Sequence, residues 1–105
     1  MSEYWSPRTN VVEGSNGVTV EVLGRTGIRY RERGLSCFVD SEVLASAEPT
    51  IGVWPSGIRG WDAPNENLEL TDDDRERILQ NIAAAFASQN WRLEVIRRGG
   101  SEQES

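Results

Sequence analysis

The sequence predicts an α+β domain: a mostly antiparallel sheet of about five strands, one long helix in the C-terminal half packed on one face, and a final strand. Three observations carry this reading. Stretches between residues 18 and 54 alternate apolar and polar residues at the period that buries one face of a strand. The segment after Thr71 repeats its apolar residues at helical spacing instead. "WRLEVI" (91–96) alternates again, with almost no loop before it. At 105 residues the chain makes one domain, placed at 11–98, with 1–10 as an irregular arm and 99–105 as a disordered tail.

The elements follow in order. The arm holds Tyr4, Trp5 and Pro7 among polar residues, with no alternation. "VTVEVL" (18–23) puts Val18, Val20 and Val22 on one face. "GRTG" (24–27) supplies a glycine-flanked turn. In "IRYRER" (28–33), Ile28 and Tyr30 alternate with Arg29, Arg31 and Arg33. "LSCFVDSEV" (35–43) completes a meander with one face toward a core, so Arg29 and Arg31 sit across from acids such as Glu21 and Asp40. "TIGVW" (50–54) is a shorter strand stopped by Pro55, and "SGIRGWDAPNENLEL" is a long connection. Thr71 caps the helix, Asp74 sits at the third helical position of a capping box, and Asp72 and Asp73 suit the positive end of the helix dipole. Ile78, Leu79, Ile82, Ala85 and Phe86 form its buried stripe, and Asn90 is a left-handed terminator.

Composition removes several function classes. The chain has no histidine and one cysteine, so it has no Ser–His triad, no disulfide within the chain and no zinc framework. Cys37 lies mid-strand, where a lone cysteine is a small core residue. "GRTG" and "GVWPSG" are too poor in glycine for a phosphate loop, and neither opens into a helix carrying a lysine. Asp72, Asp73 and Asp74 are consecutive, so on a helix they point about 100° apart and cannot converge on one cation. No catalysis, no cofactor and no metal are expected. With no leader and no long apolar run, the expected place is the cytoplasm, away from membranes.

What remains is binding. The net charge of −6 argues against nucleic acid as a direct ligand. Six acids lie between Glu66 and Glu76, against one arginine, while four arginines lie between Arg25 and Arg33. "VWPSGIRGWDAP" (53–64) concentrates two tryptophans, two prolines and two glycines. Trp54 or Trp91 is expected to lid the core. Trp61, beside Asp62 and Arg59, is expected either to be held as an interface anchor or to pack against the sheet edge with Asp62 capping a turn.

The blocks "FVDSEVL", "PSGIRGWDAP" and "RERILQNI", in that order and at suitable separations, resemble the immunity protein 74 family over residues 18–96. The arm around Trp5 lies outside the resemblance, and Cys37 stands where a larger residue is expected. The resemblance implies a non-catalytic inhibitor of the toxic C-terminal domain of a secreted bacterial effector, as in contact-dependent or type VI systems. The expected partner is one cognate toxin domain, bound about 1:1 by a protein that is a monomer when free. The candidate toxin-binding residues are Arg59, Trp61, Asp62, Glu66, Glu69, Asp72, Asp73 and Asp74. The competing classes are a nucleic-acid or ligand-binding module using the arginine-rich strand, and a homodimeric adaptor paired through the sheet edge.

Overall fold

A computed structural model describes residues 3–24, 26–44 and 50–96; the tail expected at 99–105 lies outside them. Among the described residues the chain forms β1 (Tyr4–Arg8), β2 (Val11–Gly14), β3 (Thr19–Val22), β4 (Gly27–Glu32), β5 (Leu35–Leu44), β6 (Thr50–Trp61), α1 (Asp72–Ser88) and β7 (Arg92–Val95). The strands make one sheet in chain order. The α+β class stands, with seven strands among the described residues where about five and a final strand were expected.

Two elements depart from expectation at the N-terminus. The arm is β1, which hydrogen-bonds antiparallel to β2 through the turn at Thr9–Asn10. Pro7 falls inside a register shift between Trp5 and Arg8, where a missing N–H costs no ladder bond. Asn10 takes a left-handed φ of 68°, a conformation that asparagine tolerates.

The third departure is β6. Pro55 does not end the strand. Val53 stands opposite Ser41 and Ile58 opposite Val39, so five steps on β6 answer two on β5. Four residues, Trp54 to Gly57, answer the single Asp40, so three extra residues loop out as a large bulge, and the strand then resumes to Trp61, opposite Cys37.

The sheet is mostly antiparallel, as expected, and its last pair is parallel. β7 runs parallel to β6, in register from Thr50↔Arg92 to Val53↔Val95. A single helix between two neighbouring strands returns the chain to its starting end, so the second strand must repeat the direction of the first.

The helix matches the expected stripe residue for residue: Ile78, Leu79, Ile82, Ala85 and Phe86 are buried. They close over Val20, Ile28, Tyr30, Cys37, Val39, Val53, Ile58 and Trp61. Both expected helix ends are present. Thr71 Oγ1 accepts from the Asp74 N–H at 3.1 Å, while Asp74 Oδ2 accepts from the Thr71 N–H at 2.9 Å. At the other end the Asn90 N–H donates to the Ala87 carbonyl and the Trp91 N–H to the Phe86 carbonyl, with Asn90 at φ 63°. This is a Schellman cap, and Trp91 adds its hydrophobic contact by packing edge-on to Phe86 at 5.4 Å. Trp91 thereby lids one end of the core, as expected of it or Trp54.

One buried position was not apparent from the alternation. Glu32 lies on the inner face beside Ile28 and Tyr30, its side chain only 8% exposed. Arg77 grips it with Nη2 at 2.6 Å from Oε2 and Nε at 3.2 Å from Oε1. The Tyr30 hydroxyl donates to Glu32 Oε1 at 2.7 Å and accepts from Asn81 at 2.8 Å. Burial alone would raise the Glu32 carboxyl, but the Arg77 and Tyr30 hydrogen bonds outweigh it and hold the group below its ordinary 4.5. A carboxyl lowered in the folded state adds stability that is complete above that value and is lost as pH falls through the native one. Arg77→Ala strands the carboxylate and should cost about 2–3 kcal/mol near neutrality. The loss should shrink in acid well below 4.5, where Glu32 is neutral in the variant. Urea denaturation of both proteins at the two pH values checks this; an equal loss at both contradicts it.

Candidate functional site

The bulge in β6 shapes the surface on the sheet face away from the helix. Gly57 allows it: an added Cβ would lie 3.0 Å from Asp40 Cβ and 3.1 Å from the Trp54 carbonyl oxygen. Three adjoining depressions follow the bulge, and all three are lined by Arg59. The first, of about 220 Å³, is also lined by Phe38, Asp40, Gly57, Gly60 and Asp62. The second adds Trp54 and Ser56, and the third reaches Pro55, Asp72 and Arg75 at the helix start.

Arg75 ties the helix to this surface. Its Nε donates to the Ile58 carbonyl at 2.9 Å, and its Nη1 donates to the Leu70 carbonyl at 2.9 Å and to Asp72 at 3.3 Å. Asp62 is fixed in turn. Its carboxylate accepts from Ser36 Oγ at 3.1 Å and lies 3.6 Å from Arg29, while its N–H donates to the Ser36 carbonyl. Arg59 stands apart, its side chain 86% exposed and 3.9 Å from Asp40.

The expected site residues therefore separate. Arg59, Asp62 and Asp72 line the connected depressions. Glu66, Glu69 and Asp73 are exposed and, among the described residues, show no side-chain partner. Asp74 belongs to the fold: the backbone hydrogen bond from Thr71, then the Arg77 guanidinium, hold its carboxyl below its ordinary value.

Of the two roles open to Trp61, the structure shows the packed one. Trp61 is 5% exposed and part of the core, so its ring offers no anchor at the surface. Gly60 and Pro64 resemble loop punctuation, but Gly60 lies within a bulged strand whose inner face Trp61 continues after Val53 and Ile58. Trp54 is the half-buried ring at the groove.

Three contributors were missed. Phe38, 39% exposed, stands on the outer face of β5; its ring lies over Gly27, where a Cβ would meet it at 2.5 Å. Asp40 is its neighbour on the same face, two residues on. Alternation already placed both outward, which was the available signal. Arg75 gave none, because its acceptors are backbone carbonyls distant in sequence.

The expected cross-strand pairing of the arginine stripe holds at Arg29 and not at Arg31. Arg29 faces Glu21 in register, although its ion pair is with Asp62. Arg31 faces Thr19 and Ser36, and Asp40 faces Gly27. Among the described residues no three carboxylates or thiols stand together so as to hold a metal ion, and no helix is long and apolar enough to cross a membrane.

A family model described as immunity protein 74 matches residues 19–96. Comparison with curated proteins and with solved structures finds no match.

Cys37 is buried beneath this surface. Burial first, then the Asp62 and Glu32 carboxylates, push its thiol up to about 12, far from the reactive thiolate form. The folded protein should react slowly with a thiol reagent and the denatured protein quickly. Cys37→Ala should cost about 1–2 kcal/mol through lost packing. Timed labelling and denaturant melts check both; rapid labelling of the native protein would show an accessible thiol.

Proposed function

The chain belongs to the immunity protein 74 family, and on that premise we propose that it binds and neutralises a cognate toxin domain, about 1:1, without catalysing a reaction itself. The toxin is the C-terminal domain of an effector delivered by a contact-dependent or type VI-type system, met in the cytoplasm of the protected cell. The protein acts as a monomer that occupies its partner.

The observation that carries the surface assignment is the division of the acidic cluster. One helix start needs one cap and one or two dipole partners, and Thr71, Asp74 and Asp72 fill those roles. Glu66, Glu69 and Asp73 exceed that need and face solvent. An exposed acidic rim steers a basic partner, raising association toward about 10⁸ M⁻¹s⁻¹ from an unsteered rate of about 10⁵–10⁶. Toxins that act on nucleic acid or nucleotides carry basic clefts, which such a rim complements.

A nucleic-acid module is less well supported. Arg29 is drawn to Asp62 and faces Glu21, and the chain as a whole is acidic, with a net charge of −6.

The cognate toxin can be sought in the gene next to this one, and two experiments then test the reading. Co-expression should rescue cells from the toxin. In stopped-flow mixing, the combined variant Glu66→Gln, Glu69→Gln and Asp73→Asn should associate at least about tenfold more slowly at low salt. The gap should narrow as the screening length shortens to about 8 Å at physiological salt. Asp74→Asn should instead lower stability by about 1 kcal/mol. Equal association rates at low salt would remove the rim from the interface.

A further inference from the structure

The first depression along the bulge combines features that neither the acidic rim nor the core requires. Two carboxylates, Asp40 and Asp62, line it together with the ring of Phe38, over a floor opened by Gly57 and Gly60. An added Cβ on Gly60 would meet nothing within 4 Å, so the floor there is open space. The Phe38 ring is located by its seat over Gly27, and the Asp62 carboxylate by Ser36 Oγ. Both are therefore positioned before any partner arrives.

The cations already present satisfy these acids weakly. Arg29 approaches Asp62 to 3.6 Å, and Arg59 approaches Asp40 only to 3.9 Å with an 86% exposed side chain. A solvated pair at that distance is worth little and exchanges readily. Each carboxylate can accept several hydrogen bonds. An aromatic face beside two carboxylates suits a planar guanidinium, which stacks on the ring and donates in a fork. At about 220 Å³ the groove is smaller than the usual small-molecule site of about 300–1,000 Å³ and suits one side chain.

We infer that the groove between Phe38 and the β6 bulge is a guanidinium pocket that receives one arginine side chain of the toxin, with Arg59 as a displaceable placeholder. The source of the arginine rests on the immunity reading above. The pocket itself rests on the groove.

The test separates the two. The ¹⁵N-labelled full chain is titrated with N-acetyl-arginine amide, and in parallel with the citrulline analogue, which keeps the shape and loses the charge. Amide shifts centred on Gly57 and Gly60 are expected with the arginine probe alone. Asp40→Asn should weaken the response by about fivefold, and Phe38→Leu should weaken it by about twofold or more. Arg59→Ala should strengthen it by about 1.5- to 5-fold, because an exposed competing pair is removed. Equal shifts with citrulline, shifts confined to residues 66–73, or a weaker response in Arg59→Ala would overturn the pocket. Asp40 and Phe38 lie on the solvent face, and the melting temperature of each variant separates misfolding from lost binding. With the toxin, Asp40→Asn should raise the dissociation rate. An unchanged rate, or a wild-type chain that answers the probe yet binds no toxin, would overturn the toxin as the source while the guanidinium response remains.

Discussion

The placement of every surface feature depends on how α1 is fastened to the sheet, and Glu32 is central to that. Apolar packing alone would let a helix slide or rotate over a sheet at modest cost, since its contacts lack direction. The fork from Arg77 to a nearly buried carboxylate is directional, and Tyr30 and Asn81 complete the hydrogen bonding around it. Two residues earlier, Arg75 points the other way around the helix and grips the Ile58 carbonyl. The first two turns are thus tied to β4 on one side and to β6 on the other, with β5 between them. Helix position and bulge position are set by the same pair of arginines.

That coupling accounts for the mixed character of the acidic segment. Asp74 both caps and pairs with Arg77, so it lies within the same network as Glu32. Asp72 is drawn toward Arg75 while its side chain stays fully exposed. Glu66, Glu69 and Asp73 contribute charge and no side-chain fold contact among the described residues. A single run of sequence thereby serves two purposes, and neighbouring residues within it answer to different physics: hydrogen-bond geometry at one position and long-range potential at the next.

Much of the fold was legible because its signals are local. Capping, helical periodicity and alternation each need only a few neighbouring residues, so α1, β3, β4 and β5 were readable with their buried faces. What was lost depends on distant partners. β1 has no alternation and contains Pro7; it exists because β2 supplies the ladder. The direction of β7 follows from its neighbour and not from "RLEV" itself. The sequence leaves Trp61 between two roles because glycine and proline punctuate bulged strands and loops alike, and only the pairing with Cys37 shows that its ring turns inward. In the candidate site, Arg59 and Asp62 were legible as polar residues in an irregular stretch. Their companions Phe38 and Asp40 were not, because the register between β5 and β6 shifts twice and no spacing rule predicts which residues meet across it.

The bulge is therefore more than an irregular stretch of strand. An uninterrupted pairing of β5 with β6 would bring an ordinary pleated surface of alternating side chains beside Asp40 and Phe38. Three extra residues on one strand open a concavity there without breaking the core, since Val53, Ile58 and Trp61 all remain on the inner face. Pro55 suits the looped-out backbone because it has no N–H to leave unpaired, and Gly57 lets the chain return close to Asp40. The cost to the ladder is local, while the gain is a recess whose charged walls stand on strands held from beneath by Arg75. A protein that must capture a lethal partner needs rapid approach and slow release. On the function proposed above, the exposed acids would serve the first and the preformed recess on a rigid sheet the second.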